Sequence, residues 1–232
     1  MQITLPSGTG PSGTAAEIAR PAHSAPARGL VIAPDIFGLR PLYTALVERL
    51  ANEWNMAVCA VEPFPGLQLG PDVEPRFAAV PTLDDRQHLA DLEAAADLMR
   101  VGDADHAGVA AVGLIGFCMG GMYCHKSSGS NSFDRIVSFY GMIHLPDTWR
   151  SPTQAEPLQC LRDGDAERVL AIIGERDRYT PAAAVDELAA TGVTVVRYAE
   201  ADHGFAHDAA RPAHRPADAA DAFAQAYAWL IG

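Results

Sequence analysis

Short apolar runs recur along the chain, alternating with stretches whose apolar residues fall at helical spacing. Gly29–Ala33, Met56–Val61, the run from Val112 up to Gly116, Arg135–Tyr140, Arg168–Ile173 and Val193–Tyr198 read as strands. Several of them are continuously apolar, as strands covered on both faces are. Pro41 suits a first helical position, and Leu42, Ala45, Leu46, Leu50 and Ala51 then give an amphipathic helix through about Trp54. Asp84–Arg100, with Leu89, Leu92, Ala96 and Met99 turned inward, Ala182–Ala190 and Ala217–Ile231 are further helices. Gln2–Leu5 and Ala16–Arg20 are shorter candidate strands in an opening rich in Gly, Pro, Ser and Ala. Residues 62–82 break the alternation: Pro63, Pro65, Gly66, Gly70, Pro71, Pro75 and Pro81 predict a long irregular loop. Loops of that length in compact domains line a site or move.

Strands alternating with helices imply βαβ units, hence an α/β class with a mostly parallel central sheet and helices on both faces, three layers in all. No repeat or linker divides the chain, so residues 1–232 read as one domain.

Composition narrows the partners more than the fold. A net charge of −12 with one lysine, Lys126, leaves no basic stripe for nucleic-acid phosphates. No apolar run reaches the ~18 residues that a transmembrane helix needs. Met-Gln-Ile-Thr-Leu-Pro-Ser-Gly at the start lacks the basic and apolar regions of a secretory signal. The four cysteines, Cys59, Cys118, Cys124 and Cys160, are irregularly spaced, which suits reduced thiols and a cytoplasmic location.

The candidate chemistry begins where the strand at Val112 ends. Gly116-Phe-Cys118-Met-Gly120 is the nucleophile-elbow pattern G-x-S-x-G with cysteine as nucleophile, set between an apolar strand and a helix. A cysteine nucleophile needs a base, and the base an orienting carboxylate. In hydrolases built on this elbow they follow in the order nucleophile, acid, histidine. Asp177 stands just past the strand at Arg168–Ile173, and His203 just past the one at Val193–Tyr198. Each also has a plainer reading: Cys118 as a small buried residue, Asp177 as a helix cap, His203 as a loop residue. Glu175 and Asp165 are weaker acids for the role, His207 and His214 weaker bases, and His125 and His144 precede Asp177. Cys118, Cys124 and His125 lack metal-ligand spacing, and no glycine pattern spells a phosphate loop, so neither metal nor cofactor is expected.

With Gly116-Phe-Cys118-Met-Gly-Gly121, Gly174-Glu-Arg-Asp177, His203-Gly-Phe-Ala206 and Val31-Ile-Ala-Pro-Asp-Ile-Phe-Gly38, the chain resembles the dienelactone hydrolase family over nearly its whole length. The resemblance implies an α/β-hydrolase fold and cofactor-free hydrolysis of a small-molecule lactone or ester by a Cys118–His203–Asp177 triad through a thioester. It also implies an oxyanion hole from the backbone N–H groups of Ile36 and Met119. Asp35 stands where the family has a glutamate that interacts with the thiol, one methylene longer. Family members that cleave dienelactone hold the substrate carboxylate with arginines. At one of those positions, four past His203, this chain has His207, leaving Arg76 and Arg86 as candidates for the other. The competing readings are an esterase or thioesterase acting on an uncharged acyl group, and a non-catalytic binding protein on the same fold.

Overall fold

Eight strands form one sheet in the computed structural model, which describes residues 1–6 and 13–232. They are β1 (Gln2–Leu5), β2 (Thr14–Ala19), β3 (Arg28–Ala33), β4 (Met56–Val61), β5 (Ala111–Phe117), β6 (Arg135–Phe139), β7 (Val169–Gly174) and β8 (Thr194–Tyr198). Their order is β1-β2-β4-β3-β5-β6-β7-β8. β1 and β2 pair antiparallel, β2 joins β4 antiparallel, and every pairing from β4 to β8 is parallel.

The helices are α1 (Pro41–Trp54), α2 (Val73–Ala79), α3 (Asp85–Val101), α4 (Met119–Lys126), α5 (Pro157–Asp163), α6 (Ala182–Ala189) and α7 (Pro216–Ile231). Because β3 is buried on both faces, its side chains alternate between two cores. Leu30 and Ile32 pack with Tyr43, Leu46 and Leu50 of α1 and Phe223 of α7. Val31 and Ala33 join the opposite core, with Leu92 of α3, Met122 of α4 and Leu188 of α6. The expected three-layer arrangement is therefore present. Among the described residues no helix is long and apolar enough to cross a membrane.

Two helices escape the sequence pattern. Residues 62–82 are not wholly irregular: α2 forms inside them, with Pro75 as its third residue. A proline costs nothing there, since the first-turn N–H groups have no intrahelical acceptor. α5 likewise starts on Pro157 at its first position. The parallel strands all point their C-terminal ends the same way. The segments following β3, β5, β6, β7 and β8 therefore gather Asp35, Cys118, Tyr140, Asp177 and His203 at one edge of the sheet, where open α/β sheets carry ligand sites.

Candidate active site

β5 passes into α4 with only Cys118 between them, and Cys118 takes up φ 56° and ψ −115°. That backbone is strained for a residue with a side chain. The turn closes because its neighbours have none: a Cβ on Gly116 would meet the Gly120 carbonyl oxygen at 2.2 Å, and one on Gly120 the Ala33 oxygen at 2.0 Å. The Cys118 N–H donates to Phe139 O at 3.0 Å, pinning the elbow to β6. The sulfur is thus held at the head of α4, whose first-turn N–H groups favour negative charge.

Asp177 and His203 meet it there. The His203 Nδ1 lies 2.7 Å from Asp177 Oδ2, and the other carboxylate oxygen accepts the Tyr179 N–H at 2.8 Å. With Nδ1 so committed, Nε2 is the nitrogen left to interact with the Cys118 sulfur. Burial opposes charge on this imidazole, but the Cys118 sulfur and the Asp177 carboxylate outweigh it and push His203 up to about 10. The arrangement favours a protonated imidazole at His203.

Cys118 and His203 open onto a cavity of about 460 Å³. One wall is apolar, from Val73 and Phe77 of α2, Met142 and Trp149, with Phe77 and Trp149 ring centroids 5.6 Å apart. On the other side stand Arg178, Tyr179 and Arg211. Neither guanidinium has an ion-pair partner among the described residues; Arg178 donates to Tyr179 Oη at 2.8 Å. Sequence reasoning passed over Arg178 as a binding residue. Arg211 lies eight residues beyond His203.

The other expected residues are placed differently from one another. Ile36 lines the cavity, its N–H without an acceptor among the described residues, and Met119 supplies the first N–H of α4. The Asp35 carboxylate does not hydrogen-bond the thiol. It takes Arg40 Nη1 and Nη2 at 2.6 and 2.9 Å, His207 Nε2 at 2.8 Å and the Phe37 N–H at 3.0 Å. Burial alone would raise the Asp35 carboxyl, but His207 and Arg40 hold it well below the usual carboxylate range. His207 is itself fully buried behind the cavity, and burial outweighs Asp35 in lowering it, so it is a neutral imidazole. Arg76 spends its guanidinium on the carbonyls of Gly70 and Ile36, in a neighbouring groove rather than the Cys118 cavity. Arg86 is not brought to the site: it is exposed at the start of α3, paired with the capping residue Asp84.

The profile of the dienelactone hydrolase family matches residues 14–231. A probable 2-oxo-3-(5-oxofuran-2-ylidene)propanoate lactonase of Bradyrhizobium sp. is 27% identical over 231 residues, covering 93% of this chain and 88% of that protein. The carboxymethylenebutenolidase of Pseudomonas putida is 27% identical over 194 residues, covering 78% of this chain and 76% of its own. A solved structure from Klebsiella pneumoniae subsp. pneumoniae, assigned as a dienelactone hydrolase, superposes with a TM-score of 0.85 at 26% identity, covering 100% of this chain and 97% of its own.

Proposed function

The chain belongs to the dienelactone hydrolase family, ester- and lactone-cleaving enzymes on the α/β-hydrolase fold, and we propose that it acts through Cys118, His203 and Asp177 on a substrate bearing a negative group. The observation that carries this reading is the 2.7 Å bond between His203 and Asp177 beside a sulfur held on the strained elbow. The Cys118 thiolate attacks the carbonyl carbon, and the oxygen takes the electron pair between the N–H groups of Ile36 and Met119. Collapse breaks the bond to the leaving oxygen, which takes the proton from the His203 imidazolium. In a lactone that oxygen stays tethered to the acyl group. Water then enters, His203 removes its proton, and the hydroxide attacks the thioester. The second collapse releases the carboxylic acid and regenerates the thiolate.

The substrate class follows from the cavity walls. Val73, Phe77, Met142 and Trp149 suit the apolar body of an ester or enol lactone. Arg178 and Arg211, cations without an ion pair among the described residues of a chain of net charge −12, suit a carboxylate on that body. A matched pair of enol lactones, with and without a carboxylate, tests both halves. The charged lactone is expected to have the higher kcat/KM, by about 10- to 100-fold. Cys118→Ala is expected to leave no measurable turnover of either, with the folded circular dichroism spectrum retained. Equal kcat/KM values would instead favour an uncharged acyl substrate, and turnover by Cys118→Ala would remove the thiol mechanism.

A further inference from the structure

The backbone donors around Asp35 can be accounted for one by one. The Asp35 N–H donates to Tyr43 Oη at 2.7 Å, the Phe37 N–H to Asp35 Oδ1 at 3.0 Å, the Gly38 N–H to Asp35 O at 2.9 Å, and the Leu39 N–H to Glu62 Oε2 at 2.9 Å. Among the N–H groups of Asp35 to Leu39 only that of Ile36 has no acceptor among the described residues, and Ile36 lines the Cys118 cavity. A buried or half-buried N–H left free while all its neighbours are engaged is reserved for something outside the chain.

What fixes that turn is a hydrogen-bond chain crossing three loops. Asp35 follows β3, Tyr140 follows β6, and His207 follows β8. The Tyr140 hydroxyl donates to His207 Nδ1 at 2.6 Å, and His207 Nε2–H donates to Asp35 Oδ2 at 2.8 Å. The His207 backbone N–H returns to Tyr140 Oη at 3.3 Å. Arg40 closes the far side of Asp35 with two bonds and donates also to Gly38 O at 3.4 Å. Asp35, Tyr140 and His207 are all nearly inaccessible to solvent. His207 stacks on Phe117, the residue before the nucleophile, with ring centroids 4.8 Å apart. Tyr140 adopts φ 41°, a left-handed conformation that a bulky residue takes only under constraint.

We propose that Asp35, His207 and Tyr140 are positioning residues whose buried chain, anchored by Arg40, holds the Ile36 N–H where the substrate oxyanion forms. The role rests on the thiol mechanism proposed above and assigns Asp35 to the oxyanion turn rather than to the sulfur. Both Asp35 oxygens are already occupied, one by Arg40 and the Phe37 N–H, the other by Arg40 and His207. In the mechanism proposed above, His203 is therefore the group that takes the thiol proton. The proton count closes as well: Tyr140 and His207 are neutral donors in series, and the single negative charge of Asp35 is balanced by Arg40.

Two reactions of the same sulfur separate the roles. Ester hydrolysis develops an oxyanion and needs the Ile36 N–H, whereas alkylation of Cys118 by iodoacetamide displaces iodide at a saturated carbon and needs only the thiolate. Tyr140→Phe and His207→Gln are expected to lower kcat for hydrolysis by about 10- to 100-fold, less than outright loss of an oxyanion donor. KM and the iodoacetamide rate constant are expected to stay within about 2-fold, as for an interaction made only in the transition state. Both are measured below each variant's unfolding transition, and should one variant not fold, the other carries the comparison. A parallel fall in alkylation, or an unchanged kcat, would overturn the assignment. Rapid alkylation of wild type with hydrolysis surviving in Cys118→Ala would instead remove the underlying mechanism, so the two failures are told apart.

Discussion

Two buried carboxylate–cation pairs in this chain use the same chemistry to opposite ends. Asp85 and Lys126 lie under α3 and α4, with the Lys126 side chain wholly buried. Its ammonium meets Asp85 Oδ1 and Oδ2 at 3.0 and 2.9 Å and Gln154 Oε1 at 3.0 Å, which uses all three donors. Asp85 also accepts the Ala155 N–H at 2.6 Å, and the ammonium sits 4.8 Å from the Tyr123 ring centroid. Nothing is left over. Asp35 and Arg40 are equally well bonded to each other, but their network borders groups without a hydrogen-bond or ion-pair partner among the described residues, the Ile36 N–H and the Arg211 guanidinium, beside the Cys118 sulfur. Buried charge by itself therefore marks structure. The functional end is distinguished by valences left open toward a cavity.

Removing one charged group from each region tests that distinction most severely. Asp177→Asn is expected to lower kcat/KM by on the order of 10⁴-fold, because the wrong His203 tautomer is then favoured, with the melting temperature nearly unchanged. Lys126→Met is expected to do the reverse. Stranding Asp85 should cost about 3–5 kcal/mol of stability in urea unfolding, while kcat/KM per folded molecule stays at the wild-type value. Adding Asp85→Leu should recover much of that loss, since an apolar pair replaces a buried ionic one at little cost. A large activity defect in folded Lys126→Met would merge the two regions into one.

Arg211→Gln addresses the open valences themselves. It is expected to raise KM for a carboxylate-bearing lactone by about 10- to 100-fold and to leave the uncharged analogue within about 2-fold. An equal effect on both substrates would make Arg211 part of the wall rather than an anion-binding group.

The sequence exposed one region far better than the other network beside it. Cys118, Asp177 and His203 each stand immediately after an apolar strand, and a parallel sheet brings such positions together whatever the loops do. The Asp35–His207 bond joins residues 172 apart, and it depends on how two loops fold over each other. No local pattern encodes that. Asp35 was assigned toward the thiol because its neighbours match a motif, yet Arg40, five residues on, claims the carboxylate once α1 begins at Pro41. The prolines of residues 62–82 read as loop, yet Pro75 occupies a first-turn position of α2, and with that helix comes part of the apolar cavity wall. Lys126 and Asp85, 41 residues apart, gave no signal either, because a lone lysine on a helix reads as surface.

His88 strains the comparison from within the closed region. Both its ring nitrogens are buried without a hydrogen-bond partner, while the ring packs edge-on against Tyr123 at 4.2 Å. It borders a groove beside α3 and not the Cys118 cavity, so it should behave as a structural cost rather than as part of the active site. Burial, with Lys126 adding to it, lowers His88 from 6.5 to about 3. The sign follows from proton counts: between those values the unfolded chain binds a proton that the folded one refuses. Stability from neutral His88 is thus present above about pH 6.5 and declines as the pH falls toward 3. His88→Phe keeps the ring contact and removes the titration. The difference in unfolding free energy between pH 7 and pH 5.5 is expected to shrink by on the order of 1 kcal/mol relative to wild type, with kcat/KM unchanged. An unaltered pH dependence would mean that the imidazole finds a partner in solution. A loss of activity would mean that the closed region communicates with the cavity after all.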